Sequence, residues 1–173
     1  MNVFKILQIF SAPALAYALV FTLILASTSA QAQADDRAAL VGLKEAKVAF
    51  DLTTGDAKAL LARLNVIDET RLSLIKQGVQ PSFVLTFRGP ATRLVQTDLE
   101  KIKPEDRIDA QKISLKLLEM SKASGMQSLE QCSVAIRQQE TKAENVLPQI
   151  NVIGNSWISL IAYQAKGYAY IQP

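Results

Sequence analysis

From Lys47 onward the chain alternates short β-rich runs with longer stretches of helical spacing, and no other feature restricts its fold as much. "KVAFDLT" (47–53) is apolar and β-prone, and "TGD" bounds it. Residues 56–77 then repeat apolar side chains at Ala57, Leu60, Leu61, Leu64, Ile67, Leu72 and Ile75, the stripe of an amphipathic helix, with Gly78 as its stop. "SFVLTFRG" (82–89) reads as a second strand ending in the turn signal Gly89-Pro90. The spacing predicts a shorter helix over 91–103, broken by Pro104. A clearer helix follows over 105–124, with Ile113, Leu117 and Met120 on one face and Gly125 after it.

"MQSLEQC" (126–132) is weak on propensity and reads as a strand from its place between helices. Residues 133–140 read as a short helical turn and "INVIG" (150–154) as a strand. A helix over 156–166 has Asn155 or Ser156 as its cap and Gly167 as its terminator, and "YAYI" (168–171) is a last strand. Strands alternating with helices build right-handed βαβ units. The expectation is therefore an α/β fold: a three-layer α/β/α domain with an open, mostly parallel sheet of about five strands.

The first 34 residues read differently. Lys5 is the only charge before Asp35, an apolar run is densest from Ala14 to Ala26, and two overlapping A-x-A sites follow, Ala30-Gln31-Ala32 and Ala32-Gln33-Ala34. That pattern is a secretory signal, cut at a small-residue site. Gln8 and Pro13 weaken the rival reading, an uncleaved anchor. The expected organisation is a signal peptide (1–34), a polar leader (35–45) and one domain (46–173), exported to the periplasm and free of the membrane once cut.

Composition removes several functions. The chain has no histidine and one cysteine, Cys132. Without imidazole, a zinc site or a hydrolase of the Ser-His or Cys-His kind has neither its usual ligand nor its usual base. No metal and no cofactor are expected. The formal net charge is +3 and no run of Lys and Arg exceeds two residues, which argues against nucleic acid as a partner. A lone cysteine forms no internal disulfide.

In an open α/β sheet, ligands bind beyond the carboxyl ends of the strands. Four loops fall there: Thr53-Thr54-Gly55-Asp56, Arg88-Gly89-Pro90, Cys132-Ser133 and Gly154-Asn155-Ser156. Cys132 is the candidate catalytic residue; Thr54, Asp56, Arg88, Gly89, Ser133, Asn155 and Ser156 are candidate ligand contacts. A thiol at a strand end just before a helical turn meets free N–H groups that favour the thiolate, and Arg88 or Arg137 could add positive charge. Each has a plainer reading. Cys132 could be a small apolar filler, Asp56 an N-cap, and Arg88 an ion-paired loop charge rather than a grip for an anion. Trp157 and Tyr163, at helical spacing, read as packing or subunit interface.

The stretch "VLPQINVIGNSWISLIAYQAKGYAYIQP" (146–173) resembles the DsrE/DsrF-like family of sulfur-relay proteins, above all in its Gly-Tyr-Ala-Tyr-Ile-Gln-Pro tail. "KVAFDLTTGD" (47–56) is similar to the family's opening strand and turn, and "FVLTFRGPATRLV" (83–95) to its second strand and Gly-Pro-Ala turn. Cys132 falls where many members carry a cysteine. Arg88 stands where some relatives have a histidine, and the best-studied relay members are cytoplasmic.

The resemblance, over about residues 46–173, implies a three-layer fold and a homo- or hetero-oligomer. It also implies a persulfide carried on Cys132 and passed between a sulfur donor and an acceptor protein. Two other readings stand beside it: a non-catalytic oligomeric module binding a small anion or metabolite at the same sheet end, and a purely structural or interaction protein. Trp157, Ile161, Tyr163, Tyr168 and Tyr170 crowd a short span of the tail, more aromatic and aliphatic surface than one helix and one strand can bury alone, so self-association is expected.

Overall fold

The computed structural model describes residues 35–173, so the signal peptide expected over 1–34 lies outside the described residues. In chain order the elements are α1 (Arg37–Leu40), β1 (Glu45–Leu52), α2 (Ala57–Lys76), β2 (Gln80–Phe87), α3 (Arg107–Met120), β3 (Met126–Cys132), α4 (Ser133–Gln138), β4 (Asn151–Ile153), α5 (Ser156–Ala165) and β5 (Ala169–Ile171). The strands form one sheet in the order β4-β3-β2-β1-β5, and every neighbouring pair is parallel. The α/β fold with an open parallel sheet of five strands is thus as the alternation predicts.

Strand side chains alternate between the two faces of the sheet, and here the faces differ sharply in chemistry. One carries Phe50 and Leu52 of β1, Phe83, Leu85 and Phe87 of β2, and Leu129 of β3. These pack with Leu60, Leu64 and Ile67 of α2 and Ile113, Leu117 and Met120 of α3 into the main core. The other face carries Asp51, Thr86 and Glu130, side by side in strand register and all buried. Helix α5 lies on that second face, where Ser159 and Tyr163 reach Glu130. The order of the strands explains why. The chain walks one way from β1 to β4, and right-handed crossovers put α2 and α3 on one side. It then returns across the whole sheet to β5 at the far edge, which sends α5 to the other side.

Three boundaries differ from the sequence reading. Residues 35–45 are not only a polar leader: they hold the one-turn helix α1, and β1 already starts at Glu45. The helix expected over 91–103 is instead two 3-10 helices, Gly89–Leu94 and Leu99–Lys101. Tertiary pairing takes the backbone between them. Val95 O accepts from Leu147 N at 3.1 Å, Thr97 N donates to Asn145 O at 2.7 Å, and Gln96 bridges Val146. Those groups cannot also serve an α-helix. The helix expected over 105–124 runs only over Arg107–Met120, preceded by a 3-10 turn at Pro104–Asp106. Gly125 then presses on Pro81, with φ +85°, and its carbonyl accepts from Phe83 N at 2.8 Å to start the β2–β3 pairing.

Candidate functional site

The carboxyl ends of the strands gather the candidate residues into two groups. The first lies at β1, β2 and β5. Asp51, fully buried, takes two hydrogen bonds from Arg88, from Nε to Oδ1 at 2.8 Å and from Nη2 to Oδ2 at 2.5 Å. Tyr170 Oη donates to the same Oδ2 at 2.7 Å. Arg88 stands beyond the end of β2 in extended conformation, so its fork reaches back along the polar face to Asp51. The bond to Asp51 holds the Arg88 guanidinium even above its usual pKa, and the same carboxylate pushes the Tyr170 phenol up. Arg88 is therefore ion-paired with Asp51, as its plainer reading has it.

Beside it the loops after β1 and β2 are locked together. A Cβ placed on Gly55 would sit 2.7 Å from Pro90 Cβ, and Gly89 needs φ +55° to turn the chain there. Thr54 Oγ1 accepts from Asp56 N at 3.2 Å, and Asp56 Oδ1 accepts from Ala59 N at 2.8 Å. Thr54 and Asp56 thus build the turn and cap α2, as the plainer reading of Asp56 has it.

The second group lies at β3 and β4, under the start of α5. Cys132 ends β3 and stands just before α4, 3% exposed. Its Sγ accepts from the Ser156 N–H at 3.4 Å. Burial pushes the thiol pKa up, but the Ser156 hydroxyl and the N–H groups of Ser156, Ala135 and Val134 favour the thiolate, and the net direction is down. No arginine contributes: Arg137 reaches back to Ser133 O, and Arg88 is held by Asp51. Ser133 Oγ donates to Gly154 O at 2.6 Å, tying the β3 and β4 loops together, and Asn155 Oδ1 accepts from Trp157 N at 3.0 Å as the cap of α5. Cys132, Ser133, Asn155 and Ser156 are thus brought together, while Thr54, Asp56, Arg88 and Gly89 belong to the other group.

Between the groups runs a polar row that the sequence reading passed over. Asp51 pairs with Thr86 and Thr86 with Glu130 across β1, β2 and β3. Glu130 is buried; Ser159 Oγ donates to its Oε2, and Tyr163 Oη to its Oε1 at 2.9 Å. Burial and the Glu130 carboxylate push the Tyr163 phenol up to about 12. The buried Thr86 hydroxyl has no hydrogen-bond partner among the described residues. The signal was present in "AFDLT" and "SLEQC": a carboxylate inside an otherwise strand-like run is costly unless paired, so it marks a polar face.

No family model matches the chain. It is 30% identical to an uncharacterized protein of Aquifex aeolicus over 125 residues, 72% of this chain and 55% of that protein, so the chain spans about half the length of the curated relative it matches. Among solved structures, a protein of unknown function from Methanobacterium thermoautotrophicum is similar to it with a TM-score of 0.53 and 16% identity. That match covers 75% of this chain and 99% of the other. At that identity the likeness is one of fold. The two matches relate this chain to proteins that themselves have no stated activity.

Proposed function

We propose that this chain is an exported, DsrE/DsrF-like sulfur carrier, in which Cys132 holds sulfane sulfur as a persulfide for delivery to an acceptor protein. The observation behind it is the environment of Cys132: a thiol at the carboxyl end of the sheet, receiving N–H donors that lower its pKa. A thiolate is the attacking form. In the step proposed, the Cys132 thiolate attacks the outer sulfur of a donor persulfide, a new S–S bond forms on Cys132, and the donor's inner sulfur leaves as a thiolate. Atoms and charge balance, and no external oxidant, metal or cofactor enters. Delivery is the same exchange with an acceptor thiolate.

A second reading, a binding module in which Cys132 only packs, is favoured by the burial of that residue. Against it, the candidate cation Arg88 is already paired with Asp51. Mature protein incubated with polysulfide and weighed intact separates the two. A gain of about one sulfur, ~32 Da, absent from Cys132→Ser, supports the carrier. No gain after prolonged incubation supports the binding module.

A further inference from the structure

A carrier thiol that is 3% exposed needs a way to open. The first residue of α5, Ser156, sits on its sulfur. Helix α5 is held on the sheet in an inverted manner. The side chains it buries are Ser156 and Leu160, and Ser159 and Tyr163 beside them are half-buried. Its outer side exposes Trp157, Ile158 and Ile161, each by more than 60%. Hydrogen bonds thus help to hold α5 down. The main ones are the Ser159 and Tyr163 hydroxyls on opposite oxygens of Glu130.

Both ends of α5 adjoin a glycine. Gly154 precedes its cap, and Gly167 follows it at φ +83°. The strands that tether it, β4 and β5, have three residues each and form the two edges of the sheet. Beneath the helix, Thr86 keeps a buried hydroxyl without a partner among the described residues, so lifting α5 would also hydrate a group that closure leaves unsatisfied.

We infer that α5 is a lid over Cys132, latched by Glu130 through Ser159 and Tyr163, and that its opening admits the sulfur-bearing substrate to the thiol. The substrate rests on the carrier reading above; the latch does not. The test is the rate at which iodoacetamide alkylates Cys132 in the folded protein. Combining Ser159→Ala with Tyr163→Phe removes both donors and keeps the ring that packs edge-on against Tyr168. Alkylation should then be at least about tenfold faster, with little response to low urea, as local opening requires. Glu130→Gln keeps one good acceptor oxygen and should fall between.

Equal rates in all three proteins overturn the latch. So does a faster rate that climbs with urea as steeply as global unfolding does. If the donor-less variant is globally unstable, Glu130→Gln and the urea dependence of the wild-type rate still decide. Faster alkylation with no sulfur uptake by either protein keeps the latch and removes the carrier. Sulfur uptake at one rate in both, with equal alkylation, does the reverse.

Discussion

At the scale of single residues, the polar face of the sheet depends on matched charge. Asp51 is fully buried and tolerable there because Arg88 and Tyr170 saturate it. Removing the guanidinium would leave a buried carboxylate with one phenol. Arg88→Met should cost about 3–5 kcal/mol in urea unfolding, and Asp51→Asn combined with Arg88→Met should recover part of it. Phosphate or thiosulfate should leave the melting temperature of the wild type unchanged; a rise would mean that Arg88 is free to bind anions after all. Gly55 shows a steric limit of the same kind. Gly55→Ala drives a Cβ to 2.7 Å from Pro90 Cβ and should cost about 1–3 kcal/mol by the same measurement.

The Cys132 thiol should ionise below the free value of about 8.5 when followed by thiolate absorbance against Cys132→Ser, and Ser156→Ala should raise that midpoint. A midpoint above the free value would show that burial prevails over the N–H donors. Cys132 was legible in the sequence because it is alone and stands at a strand end. Its donors were not: Ser156 lies 24 residues away and meets the sulfur only because β3 and β4 are neighbours.

At the scale of elements, the long periodic segments were legible, and so were the short β3, β4, α5 and β5 to within a residue at each end; the clear exception was 91–103. Helix α2 and the strands β1 and β2 bury so many side chains at fixed spacing that their pattern survives any local preference. The region 91–103 carried the same kind of spacing, yet the backbone of Val95 and Thr97 pairs with residues 145–147, a partner that no local pattern announces.

The join between α2 and α3 shows another long-range device. Asp68 of α2 takes Arg71 Nε at 2.8 Å and Lys116 Nζ of α3 at 2.6 Å, and Arg71 Nη1 also donates to Ser124 O. Burial pushes the Asp68 carboxyl up, but the hydrogen bonds from Lys116 and Arg71 outweigh it, and its pKa lies below the usual value. A carboxyl whose folded pKa is depressed stabilises the fold above its unfolded pKa, about 3.9, and that contribution is lost as pH falls through the lower folded value. Wild-type stability should drop as pH is lowered below about 4, and Asp68→Asn should flatten that drop in urea titrations at pH 3 and pH 6. An unchanged profile would mean that other carboxylates dominate acid unfolding.

At the scale of the whole molecule, the main core accounts for one face of the sheet and α5 only thinly covers the other. The outer side of α5 leaves Trp157, Ile158 and Ile161 to solvent, and the helix carries no charged residue along its ten positions. Two copies meeting on this helix across a two-fold axis would bring together no like charges from within the helix and would bury an aromatic anchor from each side. A second copy of this chain is the expected cover. The chain from residue 35 onward should be a dimer or larger by light scattering at micromolar concentration. Ile161→Glu should reduce it to a monomer whose melting temperature no longer depends on protein concentration. Because Ile161 is on the outer side of α5, the substitution should leave the Glu130 bonds in place. A wild type that is monomeric throughout this range would leave the apolar side of α5 to some other partner. If the substitution also changed the alkylation rate of Cys132, association and access to the thiol would be coupled through this one helix.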